Sequence, residues 1–290
     1  MEDCPLYVQQ VKAEFKIVDR ADRRVPVTDE AKTISRRIFM KDLKNKNVVV
    51  IGATGIIGKG AALAFAEAGA QVVVVSRSVD NANKAIAQFP KDLREKLFPL
   101  GALFSNAIEA KHAKESVEKL LGGGQKIDHV VVSVGNVDFA KAPSEDEFSK
   151  LLDAMNEAPK TLFYAAKAFL PEMKDTPGSS FLTVSGKIAY GCPVPPLWAA
   201  SVKYGAINLL VSGFHSEFKN SQVRLNAIVP GTAVAEVVGG KNKIDMEAKI
   251  AARQLGDAFV ALAQGTRNGE FVPVDSPEGL NAFLETERIK

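Results

Sequence analysis

Metal chemistry has little to work with in this chain. Only three histidines (His112, His129, His215) and two cysteines (Cys4, Cys192) occur among 290 residues, and none sits at ligand spacing. No metal site is expected, and so sparse a set of thiols suits a reducing compartment better than a disulfide framework. No uninterrupted apolar run approaches the roughly 18–20 residues of a membrane span, so no membrane partner is expected. Charge of one sign is missing too. Thirty-seven Lys and Arg face 34 Asp and Glu, for a net charge of +3. No basic block is dense enough for a nucleic-acid groove. The opening Met1-Glu2-Asp3-Cys4-Pro5 lacks a basic stretch followed by an apolar one, so no secretory signal is expected in it and the expected location is cytoplasmic. There is no internal repeat, and no glycine-rich motif beyond the one described below.

What the chain does have is apolar content, 46%, enough for one sizeable core. From Asn45 onward strands and helices alternate. Short Val/Ile/Leu runs without polar alternation occur at 47–51, 71–75, 97–103, 129–134, 180–185 and 223–229. Such runs suit strands covered on both faces. Helical patterns lie between them at 57–68, 80–88, 108–121, 146–171 and 198–218, with another at 246–263 before an edge strand near 269–275. Repeated βα units predict an α/β fold, a doubly wound, mostly parallel sheet of Rossmann type with right-handed crossovers. Residues 1–44 stand apart as an N-terminal arm, with short strands at 14–18 and 25–27 and a helix at 32–42, ahead of a single domain over 45–290.

Chemistry enters at residues 48–58, Val-Val-Val-Ile-Gly-Ala-Thr-Gly-Ile-Ile-Gly. An apolar strand runs into a glycine turn that opens a helix, and a second strand ends in Ser76-Arg77-Ser78. This architecture places a dinucleotide pyrophosphate at a helix N-terminus. Gly52 serves the tight turn, Gly55 the approach of backbone to phosphate and Gly58 the packing of helix on strand; Thr54 and Ile57 complete the lining. A site for the unphosphorylated cofactor usually carries Asp or Glu at the end of the second strand. Here Arg77 stands there between the hydroxyls of Ser76 and Ser78, a set suited to clamping a 2′-phosphate. The cofactor expected is NADP.

With these residues in hand the chain resembles the short-chain dehydrogenase/reductase family over about 45–275. Ser133-Val134-Gly135-Asn136 follows the fourth strand where the family carries Asn-Asn-Ala-Gly. Thr183-Val184-Ser185-Gly186 follows the fifth, Lys203-Tyr204-Gly205 resembles the family's helix from its lysine onward, and Val223 to Thr232 is similar to the sixth strand with its Pro-Gly turn. The resemblance implies that Ser185 polarises the substrate and Lys203 anchors the nicotinamide ribose. Gly135, Pro230, Gly231 and Thr232 would line the cofactor, Asn156 would correspond loosely to the family's helix asparagine, and 233–248 would form a lid. It also implies a homodimer or homotetramer through the helices near 148–170 and 200–218, whose apolar content exceeds one stripe.

The departures from the pattern are as informative. Counting back four from Lys203 reaches Ala199, and counting thirteen on from Ser185 reaches Trp198. Neither is the family's tyrosine. Indole donates a hydrogen bond but does not release its proton near neutral pH. Tyr190, five residues past Ser185, is the candidate substitute acid, because Tyr204 lies about 100° around the helix from Lys203. The loop 191–198 is expected to wall the pocket. The function expected is NADP(H)-dependent hydride transfer at an atypical site, to an iminium, conjugated alkene or carbonyl of a small, cyclic or aromatic substrate. The alternative is an NADP(H)-binding protein without hydride transfer, acting as a cyclase or sensor.

Overall fold

A computed structural model of the chain describes residues 43–137, 140–240 and 247–288; the expected arm elements at 14–18, 25–27 and 32–42 lie outside them. The order of elements is β1 (Asn47–Ile51), α1 (Ile56–Glu67), β2 (Gln71–Ser76), α2 (Val79–Ile86), β3 (Leu97–Gly101), α3 (Ala107–Leu120) and β4 (His129–Val132). There follow α4 (Phe148–Asn156), α5 (Ala158–Met173), β5 (Ser180–Val184), α6 (Trp198–Phe218), β6 (Arg224–Pro230), β7 (Val234–Ala235), β8 (Ile250–Ala251), α7 (Ala252–Gln264), β9 (Phe271–Val274) and α8 (Pro277–Arg288).

Seven strands form one sheet in the order β3-β2-β1-β4-β5-β6-β9, every neighbouring pair parallel. The order reverses between β1 and β4, where Val48 pairs with His129 and Ile51 with Val132. Above such a reversal a crevice opens at the carboxyl ends of the strands. The apolar runs behave as strands covered on both sides. Val49, Ile51, Val73, Val75, Val130 and Val132 pack with side chains of α3, α5 and α6. Their alternates Val48, Val50, Val72 and Val74 are fully buried and point to the other face, where Phe65 of α1 stacks on His129 with ring centroids 6.1 Å apart.

On that face α1 and α7 touch backbone to backbone. A Cβ on Gly60 would lie 2.1 Å from the Ala252 carbonyl oxygen, so only glycine permits the crossing.

The helix expected over 146–171 is two helices. Pro159 offers no N–H to the carbonyl of Met155, and it restricts Ala158 before it. The chain breaks at Glu157 (φ −85°, ψ −100°), which ends α4 and starts α5. The stretch expected to be helical from 246 becomes helical only at Ala252, after the short β7–β8 ladder. A further helix, α8, follows β9. Among the described residues no helix is long and apolar enough to cross a membrane.

Candidate active site

The glycine turn sits at the carboxyl end of β1. Gly52 has φ +82°, and a Cβ there would lie 2.1 Å from the Ser133 carbonyl oxygen. A Cβ on Gly58 would lie 2.2 Å from the Gly52 carbonyl oxygen. Both positions require glycine for the protein's own packing. Gly55 differs: it is exposed, and a Cβ there would meet only the Gly52 carbonyl oxygen, at 3.3 Å. What a side chain at Gly55 would fill is the space before the first turn of α1. That turn has no side-chain cap and no acidic residue, so among the described residues no local side chain compensates its leading N–H groups and the positive helix end. These residues fit a dinucleotide pyrophosphate. Ile57 lies half-buried in the same turn, and Thr54 is exposed with its Oγ1 3.4 Å from Ser76 Oγ.

At the end of β2, Arg77 is exposed. Ser78 Oγ accepts the Asn81 N–H as the cap of α2, which leaves its own hydroxyl hydrogen free to donate. Lys59, in the second turn of α1, reaches across to Glu236 at 2.5 Å, tying the glycine turn to the segment after Thr232. Of the expected lid, 233–240 and 247–248 are described; Ala233, Ala235 and Ala248 form a small buried cluster. Pro230 and Gly231 close β6, and the Gly231 N–H donates to the Val274 carbonyl. Gly231 lies against Asp275, which pairs with Lys187 at 2.8 Å, beside half-buried Thr232.

The second half of the site lies where β4, β5 and α6 converge. Gly135 (φ +104°) is the meeting point: a Cβ there would lie 3.7 Å from Lys203 Cδ and 3.9 Å from Tyr204 Oη. The two side chains thus reach one place from different sides of the helix, closer together than their 100° separation suggested. Ser185 is buried at the end of β5 with its Oγ 3.5 Å from the Tyr204 carbonyl oxygen. Lys203 is buried as well. Its Nζ donates to the Asn136 carbonyl at 3.2 Å, lies 3.5 Å from Asn136 Oδ1, and pairs with the Glu157 carboxylate.

A cleft of about 380 Å³ opens beside this pair, lined by Lys150, Asp153, Ala154, Asn156, Glu157, Ala199, Ala200 and Lys203. It lies between α4 and α6, so the wall expected from 191–198 is not what forms it. Helix α6 is continuous, so Ala199 and Ala200 stand one turn before Lys203 on the same face. Trp198 is turned away: its Nε1 donates to the Lys141 carbonyl at 3.2 Å, alongside an Ala140 N–H to Pro196 carbonyl bond of 2.7 Å. The indole holds two loops together.

Tyr190 is on a short 3₁₀ turn, Lys187–Tyr190, and is 61% exposed. It is not among the residues lining the cleft. Desolvation of its phenol pushes the pKa up, opposed by a hydrogen bond with Asn208, which weakens it as an acid. Glu157 was not singled out from sequence. The signal available was Pro159, which puts a helix end, and so an exposed N-terminal carboxylate, in front of α6.

Among the described residues no group of three or more His, Cys, Asp or Glu is arranged to hold a metal ion. Comparison with known proteins agrees with the geometry. The description of the short chain dehydrogenases matches residues 46–244. The 7alpha-hydroxysteroid dehydrogenase of Clostridium sardiniense is 31% identical over 199 residues, 66% of this chain and 72% of that protein. Dehydrogenase/reductase SDR family member 4 of Bos taurus is 32% identical over 192 residues, 65% of this chain and 66% of that one. In fold, the chain is similar to a solved 7 alpha-hydroxysteroid dehydrogenase complexed with NADH and 7-oxo glycochenodeoxycholic acid: TM-score 0.68, 21% identity, 82% of this chain and 96% of that one. The glycine turn, the seven-stranded parallel sheet and the Ser185–Lys203 region therefore have one common explanation: this chain belongs to the short-chain dehydrogenase family of oxidoreductases.

Proposed function

We propose that this oxidoreductase uses NADP(H) and transfers hydride to or from a small organic substrate seated in the cleft between α4 and α6. The observation that carries the reading is the pairing of an uncapped, acid-free glycine turn with a buried lysine on α6 and a buried serine at the end of β5. Gly52, Thr54, Gly55, Ile57, Gly58, Ser76, Arg77, Ser78, Gly135, Lys203, Pro230, Gly231 and Thr232 hold the cofactor. When bound it supplies a hydride. Arg77 favours the phosphorylated form, since a guanidinium pairs with phosphate in bidentate fashion.

Ser185, buried at the end of β5 and not itself a lining residue of the cleft, polarises the reacting group, and Lys203, which lines the cleft, supplies positive charge where negative charge develops. The methyl of Ala199 leaves room one turn before Lys203, and a substrate ring or chain occupies that room. Substrates are carbonyls, iminium ions or conjugated alkenes. The last two need no strong acid at the moment of hydride transfer, which suits a cleft whose wall carries alanines at 199 and 200. The active protein is a homodimer or homotetramer. Phe148, Leu152 and Met155 on α4, Phe163 on α5 and Leu209 on α6 are all exposed, and burying them against a second copy removes a large apolar surface from water. A cytoplasmic location suits a reduced NADP pool.

The rival reading, a cofactor-binding protein without redox activity, draws on the same Ala199. The deciding experiment is NADPH and NADH titration by fluorescence, then NADPH oxidation with a panel of carbonyl, imine and enone compounds. Tight NADPH binding with turnover of any panel member supports the proposal. Tight binding with no turnover favours the rival, and failure to bind either dinucleotide overturns both.

A further inference from the structure

Resting on the redox reading above, and for its carbonyl substrates, we propose that Lys203 is itself the proton donor, with Glu157 as the positioning residue that keeps it charged and recharges it. An ammonium group has three N–H donors. Two Asn136 oxygens and the Glu157 carboxylate engage Lys203 Nζ from the β4 loop and from the helix break. The contact to Asn136 Oδ1 is the longest, at 3.5 Å, and it is the one that an oxygen entering the cleft, which Lys203 lines, displaces. Ala199, one turn earlier on the same face, presents a methyl, so no side chain at that position stands between the ammonium and a substrate oxygen.

The chemistry is suited to the task. An alkylammonium in water releases its proton near pH 10.4 and a phenol near 10, so either can neutralise an oxygen that is becoming an alkoxide. The alternatives do not line the cleft. Trp198 is turned to Lys141 and holds its proton, Tyr190 is outside the cleft with a raised pKa, and the buried Tyr204, whose Oη approaches Gly135 near Lys203, is not a lining residue. In the reductive direction the carbonyl carbon gains the hydride that the cofactor supplies, and the C=O π pair moves to oxygen. That oxygen takes a proton from Lys203 Nζ as the N–H bond breaks, leaving a neutral amine and an alcohol. The Glu157 carboxylate is 47% exposed while the Lys203 side chain is 6% exposed. Glu157 is therefore the route by which a proton from water returns to the amine, restoring the ammonium–carboxylate pair. Oxidation of an alcohol runs the same transfers in reverse.

The test compares wild type with Lys203→Arg, Lys203→Met and Glu157→Gln. NADPH affinity is measured by fluorescence, hydride transfer to a carbonyl substrate in single turnover, and the Lys203 Nζ titration by ¹⁵N NMR, its signal identified by loss in Lys203→Arg. Arginine keeps the charge and the donors but does not release a proton. The expected result is a loss of about 10²–10⁴ in rate for both Lys203 variants, with NADPH affinity in Lys203→Arg within about tenfold of wild type. The wild-type rate falls at alkaline pH along the Nζ titration seen by NMR, and in Glu157→Gln the rate profile and the Nζ titration stay superimposed. Lys203→Arg retaining a rate within about threefold of wild type, or a rate profile that ignores the Nζ titration, overturns this assignment alone. A wild type that binds NADPH and reduces no carbonyl overturns the assignment as well, and the redox reading with it only if imines and enones also fail.

Discussion

Glu157 reaches Lys203 because Pro159 ends one helix and starts another in front of α6. A continuous helix would bury or rotate away the carboxylate of Glu157, whose backbone now starts α5 and whose side chain closes on a buried ammonium. The fold thus supplies a charge partner for a lysine that the core could not otherwise accept, since an unpaired buried ammonium is strongly disfavoured.

Removing that partner tests the point. Glu157→Ala leaves Lys203, whose side chain is 6% exposed, with the Asn136 oxygens alone. Because Glu157 itself is half-exposed, the loss falls between the surface and the buried ion-pair cases, about 1–3 kcal/mol. Lys203→Met, which removes the buried charge and leaves an exposed carboxylate, costs less than Glu157→Ala. Urea denaturation of both variants gives the order, and the reverse order contradicts a buried-charge explanation.

The three glycines of the turn separate by function. Gly52→Ala forces a Cβ at φ +82° to within 2.1 Å of a backbone oxygen, and Gly58→Ala to within 2.2 Å of another. Both are expected to lower stability by at least ~2 kcal/mol, from strain and overpacking. Gly55→Val meets one oxygen at 3.3 Å and otherwise points at the space before α1. It is expected to keep the wild-type melting temperature within about 3 °C while reducing dinucleotide affinity by roughly tenfold or more, about 1.4 kcal/mol. Thermal melts with and without NADPH measure both effects.

The sheet was legible because its strands are uninterrupted Val runs such as 72–75, which only a doubly covered strand tolerates. The glycine turn was legible because its residues carry their own backbone requirements. The break at Glu157 was missed although Pro159 was in view, since the apolar pattern on either side continues through it. Helix α8 was missed because its apolar content is modest: among its described apolar side chains, Leu280 and Phe283 are the buried large ones. The Lys203–Glu157 pair joins positions 46 residues apart. No local pattern encodes such a contact; it exists only once α4, α5 and α6 are packed together.

Arg77 sets the expected cofactor preference. It is exposed at the end of β2, with Ser76 and Ser78 on either side. Arg77→Asp replaces a phosphate partner with a group that repels phosphate and accepts ribose hydroxyls. NADPH affinity is expected to fall by about 10–100-fold, 1.4 kcal/mol per tenfold, while NADH affinity holds or rises. The wild-type preference is expected to weaken with salt, because the charge lies at the surface. Fluorescence titration at two ionic strengths reads both. Equal affinity of the wild type for the two cofactors removes Arg77 from the selectivity argument.

His129 makes the fold sensitive to acid. It is buried at the start of β4, stacked on Phe65, with Nδ1 2.9 Å from Ser180 Oγ. Desolvation lowers its pKa from 6.5 to about 4; Asp128 pulls it up, and Arg224 and Lys46 push it further down. The sign follows from linkage. Above pH 6.5 the ring is neutral in both the folded and unfolded chain and contributes no pH dependence. Between 6.5 and about 4 the unfolded chain binds a proton that the folded one refuses, so stability falls as pH falls. A displacement of that size corresponds to roughly 3 kcal/mol over the window. His129→Gln, which keeps a polar group near Ser180 without titrating, is expected to start less stable at pH 7.5 and to lose less on the way to pH 4.5. Urea midpoints at half-unit pH steps make the comparison, and parallel curves for the two proteins assign the acid sensitivity to other groups.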